Sequence, residues 1–279
     1  MDLRCSLAAA TLLTVSVCTV MAQGIDFEWS KTQMWGTRTG VTIPSADNVS
    51  EAIGYIKDGV YYSPNGRKFK GGATVAVARL MLDAQPAMAP VKQVIGYAPR
   101  EMRRHRPECE LSDMIVDRLM VKTAEVTGKK VDVGITNFGG IRVDMPQGDV
   151  VLDDIMSMLP FVNYLCYLEV KGKDLRYLFE QMAKTSVQVI GGARIVVRDR
   201  KLVSATIGGK PINDNAVYGV ATIDFLLDGG DNISVSRNAL SLTKTDVLIR
   251  DALMDYLLGL KEEGKPIEYK TDGRVEVRK

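Results

Sequence analysis

The sequence predicts an α+β fold in which mixed sheets are layered with helices. Three observations support this. Residues 131–135 alternate apolar and small or polar side chains with the period of a strand, and strand-like runs recur at 194–197, 201–207, 217–223 and 274–277. Longer stretches space their apolar residues for one face of a helix: Leu111, Met114, Ile115 and Leu119; Leu175, Leu178, Phe179 and Met182; Ile249, Ala252, Leu253, Tyr256, Leu257 and Leu260. The two kinds interleave without strict β-α-β alternation, which favours sheet layers covered by helices over a purely parallel sheet.

Taken in order, the first 22 residues read as a secretory signal. Arg4 supplies the positive charge, residues 7–20 form an apolar run, and Val20-Met21-Ala22 ends on small residues, so cleavage is expected between Ala22 and Gln23. Lipid attachment at Cys18 is the lesser alternative, since Val17 is larger than that processing prefers. The protein is therefore expected in the periplasm or secreted, with no later segment apolar and long enough to cross a bilayer. Cys5 and Cys18 leave with the signal. Cys109 and Cys166 remain, in a polar loop and a strand, and are expected as two free thiols with one of them buried.

Residues 23–92 form an N-terminal extension or linker. Residues 40–44 suit a strand, Asp47-Asn48 suits the cap of a helix over 49–57, and Ser63-Pro64-Asn65-Gly66 between Tyr61-Tyr62 and Phe69 suits a hairpin turn. Packing is the expected fate of these rings. A helical pattern opens after Gly71-Gly72 with Val75, Val77, Ala78 and Met81 and is expected to stop near Pro86. The main domain spans 93–279. It opens with a strand at Val94-Ile95-Gly96, then a basic loop of Arg100, Arg103, Arg104, His105 and Arg106, and a helix closed by Gly128.

With 36 Lys and Arg against 34 Asp and Glu, the chain is nearly neutral, and nothing in its charge calls for nucleic acid as a partner. No repeat or low-complexity tract is present.

Chemistry concentrates in three segments. Asn137-Phe138-Gly139-Gly140-Ile141-Arg142 follows a strand; paired glycines admit a close ligand, Asn both donates and accepts, and Arg offers a rigid fork of donors. Leu159-Pro160-Phe161-Val162-Asn163 adds a ring and a second amide. Phe225-Leu226-Leu227-Asp228-Gly229-Gly230-Asp231 adds another ring and a carboxylate on a flexible turn. Singly each has a bland reading: core phenylalanines, a turn, a surface ion pair.

In this order the three motifs resemble the C-terminal domain of the 5'-nucleotidases, over roughly residues 94–279. The resemblance implies a nucleotide or nucleoside ligand, its base stacked between Phe161 and Phe225, worth about 1–3 kcal/mol per base. It implies base-edge contacts from Asn163 and Asn137, ribose contacts from Asp231 on the Gly229-Gly230 turn, and ribose or phosphate contacts from Arg142 beside Gly139 and Gly140. An upstream Arg, Arg104 or Arg106, would also reach the nucleotide. Phe138 stands where family members often have Gly, so a narrower pocket or a third lining ring is expected.

Hydrolysis in that family belongs to an N-terminal metallophosphoesterase domain with two metal ions, which needs several His ligands. This sequence has one histidine, His105. No cofactor is thus expected in this chain; divalent metals would belong to a partner, a separate metallophosphatase. The expected function is the specificity half of a split 5'-nucleotidase. The alternatives are a stand-alone hydrolase working through an unidentified acid–base site and a scaffold whose pocket has decayed.

Overall fold

The computed structural model describes residues 49–278; the signal segment, the strand expected at 40–44 and the Asp47-Asn48 cap lie outside them. α1 (Val49–Ile53) is shorter than the helix expected over 49–57. Gly54, at φ 74°, turns the chain into β1 (Tyr55–Lys57), and a Cβ there would lie 2.1 Å from the Tyr62 carbonyl oxygen. β2 (Val60–Tyr62) and β3 (Lys68–Lys70) complete a three-stranded antiparallel sheet around the expected turn. Its rings do pack on one another: Tyr55 stacks on Tyr62 at 4.9 Å and Tyr61 on Phe69 at 5.9 Å. α2 (Gly72–Met88) lies against this sheet. It runs on past Pro86, whose missing N–H falls in the last turn, where the chain tightens into a 3-10 segment at Ala89–Lys92.

The main body follows. β4 (Val94–Ala98) pairs antiparallel with β6 (Gly148–Val151). Between them come α3 (Glu110–Thr127) and β5 (Val133–Thr136). After β6 come α4 (Leu152–Met158), β7 (Tyr164–Lys171), α5 (Gly172–Lys184) and β8 (Val189–Gly191). Next are β9 (Ala193–Arg198), β10 (Lys201–Ile207), β11 (Lys210–Pro211), β12 (Val217–Ile223), β13 (Ser241–Leu248), α6 (Ile249–Glu262) and β14 (Val275–Arg278). A five-stranded mixed sheet runs β13-β7-β12-β5-β8 and a four-stranded one β11-β10-β9-β14. The expected α+β class is what forms.

α3 packs on the five-stranded sheet and against α6, and α5 bridges that sheet to β10. Gly134 lets α3 approach: a Cβ there would meet Met120 Cγ at 2.5 Å and Val116 Cγ2 at 2.9 Å. Leu111, Leu119, Ile135, Leu168, Phe179 and Leu257 are fully buried between these layers, each contributing about 1.5–3 kcal/mol. α3 starts on a reciprocal cap in which Ser112 N–H donates to Cys109 Sγ at 3.3 Å and Cys109 N–H to Ser112 Oγ at 3.0 Å, and ends at left-handed Gly128. Cys109 thus sits inside the protein. Both Cys109 and Cys166 are free, as expected, but both are buried, not one, because the loop before α3 folds its thiol inward as a cap.

Candidate functional site

The pairing pattern decides where the motifs meet. β12 runs parallel to β5 and antiparallel to β7, with Ile223 opposite Leu165, while β13 ends with Leu248 opposite Tyr164. The end of β5, the end of β12 and the beginning of β7 therefore lie on one edge of the five-stranded sheet. The three chemistry-bearing segments continue from those strand ends, at Asn137, Asp224 and Asn163.

Asp224 ties two of them together. Its Oδ1 accepts from Tyr164 N–H at 3.1 Å and from Phe225 N–H at 2.9 Å, so the loops bearing Phe161 and Phe225 hang on one carboxylate. Ile249 N–H, opening α6, donates to the Asn163 carbonyl at 3.0 Å. Phe161 is 45% exposed and Phe225 48% exposed, unlike core phenylalanines such as Phe179. Phe225 lies over Gly230, where a Cβ would come within 2.7 Å of its ring. A small crevice of about 10 Å³ is lined by Thr136, Asn137, Gly140, Leu159, Phe161 and Asn163 together with four isoleucines. Phe225 stands on the adjoining 3-10 turn, outside that lining.

Asn137 and Asp231, 94 residues apart, are joined by a 2.7 Å hydrogen bond from Asn137 Nδ2 to Asp231 Oδ2. Asn137 is only 4% exposed and its Oδ1 is buried without a partner. Gly139 makes room for this pair, since a Cβ there would lie 2.9 Å from Asp231 Oδ2. Asp231 itself sits in the left-handed region (φ 49°), just after Gly229 at φ 99°, a conformation that costs a non-glycine residue of order 1–3 kcal/mol.

The arginines gather on the same edge. The Arg142 guanidinium lies 5.8 Å from the Phe161 ring centroid and donates to the Gly139 carbonyl at 3.3 Å, while its N–H donates to the Met158 carbonyl at 2.9 Å. Arg104 donates to the Ile141 carbonyl, and its N–H to Asp144 Oδ1 at 2.8 Å. Arg106 lies 4.5 Å over the Phe138 ring and donates to Ser186 Oγ and Val187 O. Burial lowers its pKa, attraction to Asp231 opposes that, and Arg104 adds to the lowering. Arg104 and Arg106 take two different places: Arg104 braces the backbone of the glycine-pair segment, and Arg106 caps Phe138. His105 is exposed. Phe138 is buried and serves as the platform under Arg106.

Two residues of this edge were not singled out from the sequence. Asp224 had a signal, since an Asp directly before a ring at a strand end favours a local turn bond. Gln188 had none: it is buried, and its Oε1 accepts from Phe138 N–H at 3.1 Å.

Among the described residues one acidic group has the closeness of a metal site, Glu108, Asp113 and Asp272. Most of its oxygens are already engaged, and Asp113 Oδ2, which has no hydrogen bond, faces Arg274. Arg274 holds Asp272 through two 3.0 Å bonds and Asp117 through bonds of 2.8 and 3.1 Å, with Asp113 Oδ2 at 3.4 Å. Glu108 accepts from the N–H groups of Asp272, Gly273 and Val275. Burial pushes the Asp113 carboxyl up to about 8 despite Arg274. A guanidinium occupies the place a cation would take.

The family model for the 5'-nucleotidase C-terminal domain matches residues 89–237. The chain is 28% identical over 186 residues to the trifunctional nucleotide phosphoesterase protein YfkN of Bacillus subtilis, covering 60% of this chain and 12% of that protein. It is 24% identical over 241 residues to protein UshA of Yersinia enterocolitica, covering 84% and 41%. The solved 5'-nucleotidase precursor of Thermus thermophilus superposes with a TM-score of 0.64 at 26% identity, over 73% of this chain and 43% of that one. The chain thus spans less than half the length of each of these relatives. Among the described residues no helix is long and apolar enough to cross a membrane. With more than half of its length matched, the chain belongs to the 5'-nucleotidase C-terminal domain family.

Proposed function

We propose that this chain is the nucleotide- or nucleoside-recognition module of a split 5'-nucleotidase, exported by a cleaved signal, with ester hydrolysis supplied by a separate metallophosphatase chain. The domain would begin near residue 93, with residues 23–92 as its extension. The observation that carries this reading is the gathering of two half-exposed phenylalanines, a carboxylate and three arginines on one sheet edge, from segments up to about 130 residues apart.

In this reading Phe161 and Phe225 hold the two faces of the base, whose π surface stacks without demanding one particular ring. Asp231 accepts from the ribose hydroxyls, and its charge is aimed by the Asn137 amide. Asn163 reaches the base edge. Asn137, whose Oδ1 is an acceptor left without a partner, lines the same crevice. Arg142, with Arg104 and Arg106 behind it, gives the edge a positive field suited to phosphate oxygens. Gly139, Gly140, Gly229 and Gly230 keep side chains out of the ligand's path. No residue here is assigned to bond cleavage.

Isothermal titration of the mature chain with AMP, UMP and adenosine tests recognition. Saturable binding that is lost when Phe161 or Phe225 becomes Ala is the expected result; no binding of any of the three, nor of nucleotide sugars, overturns it. Phosphate release by the pure chain, unaffected by chelator, would instead favour the stand-alone hydrolase.

A further inference from the structure

We infer that the outward face of α2 is the surface on which the metal-bearing phosphatase chain docks; this rests on the split reading above. Val77, Leu80, Met81, Ala84 and Met88 recur at helical spacing and make one continuous apolar stripe. All five are exposed, Leu80 to 72%. The opposite face is spent already: Val75 and Ala78 are buried against the three-stranded sheet. The helix carries only Arg79 and Asp83 as charged residues. A helix apolar on both sides, with one side in water, marks an interaction surface.

The place of α2 in the family says what covers it. The family match begins at residue 89, directly after Met88. The match to UshA covers 84% of this chain, more than the stretch from 89 to the C-terminus can supply, so it takes in the α2 stretch as well. That protein is more than twice as long as the matched part, and the matched family is a C-terminal domain, so the remainder precedes it. The counterpart of α2 therefore lies between the C-terminal domain and the rest of that relative. In this chain the same element presents a bare apolar stripe of the kind that a separate partner's apolar strip would bury.

The test is photo-crosslinking of the full chain in the organism that makes it, with p-benzoylphenylalanine at Leu80 and, as a control, at Val203, which is exposed on β10. A cross-link from Leu80 and not from Val203 to a chain identified by its peptides as a two-metal phosphoesterase is the expected result. No cross-link, or cross-links only to a second copy or to residues 23–48 of the same chain, overturns the proposal. A Leu80→Asp/Met81→Asp variant should lower phosphate release in the mixture with that phosphatase at least tenfold, and leave AMP affinity of the chain alone within twofold. Unchanged release overturns the docking surface. Failure of the unmodified chain to bind AMP would instead defeat the recognition reading, so the two are separable.

Discussion

The protein holds two clusters of charge that differ in how far they are closed. Around Arg274, three aspartates, Glu108 and a run of backbone N–H groups are mutually bonded at the junction of α3 with the C-terminal strand. At the sheet edge only Asn137 and Asp231 are bonded to each other, while Arg142, Arg104 and Arg106 spend their bonds on nearby backbone, Asp144 and Ser186, leaving half-exposed rings and an unpartnered amide oxygen. Burying charge is costly unless partners satisfy it. The Arg274 cluster meets most of that demand within the fold, leaving Asp113 Oδ2 without a hydrogen bond but 3.4 Å from the guanidinium, whereas the open one also keeps two half-exposed rings at its rim. Completeness of pairing, more than the presence of charge, separates a structural hub from a candidate site.

The largest expected effect breaks the closed cluster. Arg274→Met strands Asp113, Asp117 and Asp272 without their cation and should cost about 3–5 kcal/mol, read by urea denaturation, while AMP affinity of the folded fraction stays unchanged. A large loss of affinity in still-folded protein would mean that the two clusters are coupled.

At the open cluster the sign reverses. Phe161→Ala and Phe225→Ala should each weaken AMP binding by about 1–3 kcal/mol, measured by titration, with the denaturation midpoint unmoved. A stability loss without an affinity loss would return these rings to the core. Asn137→Ala should weaken binding by about 1.5 kcal/mol, the scale of a hydrogen bond to a charged group, with Asn137→Asp worse because it sets two carboxylates side by side.

The last effect is a slope. The folded Asp113 carboxyl titrates near 8, above its ordinary value of 3.8. A raised carboxylate pKa means that the folded state binds the extra proton. That contribution to stability is whole below pH 4 and fades as pH rises towards 8. Asp154, raised to about 6 by burial, acts in the same direction over a lower range. Denaturation midpoints of the parent protein should therefore fall between pH 5 and 8.5. Asp113→Asn should flatten that decline, and an identical decline in the variant would assign it to other groups.

Most secondary structure was legible because it rests on local periodicity: Lys201–Ile207 and Val217–Ile223 form the strands that their sequence suggests, and Gly128 ends α3 as expected. α1 was read too long, because the tight reversal at Gly54 depends on contact with Tyr62, not on helix propensity. The ring and glycine motifs were legible as motifs. Their meeting point was not, because it follows from strand register. The Asn137–Asp231 bond and the Gln188 contact join residues 94 and 50 positions apart, and no local pattern announces them. The burial of Cys109 was missed for the same reason, since its loop reads as polar until Ser112 closes the cap.

The shared carboxylate of Asp224 has one more consequence. Since Tyr164 N–H and Phe225 N–H share its Oδ1, a shift of either ring-bearing loop is passed to the other through a single side chain. Under the proposed recognition mode, rings coupled in this way would gauge thickness before outline, favouring flat heterocycles over puckered or bulky ones.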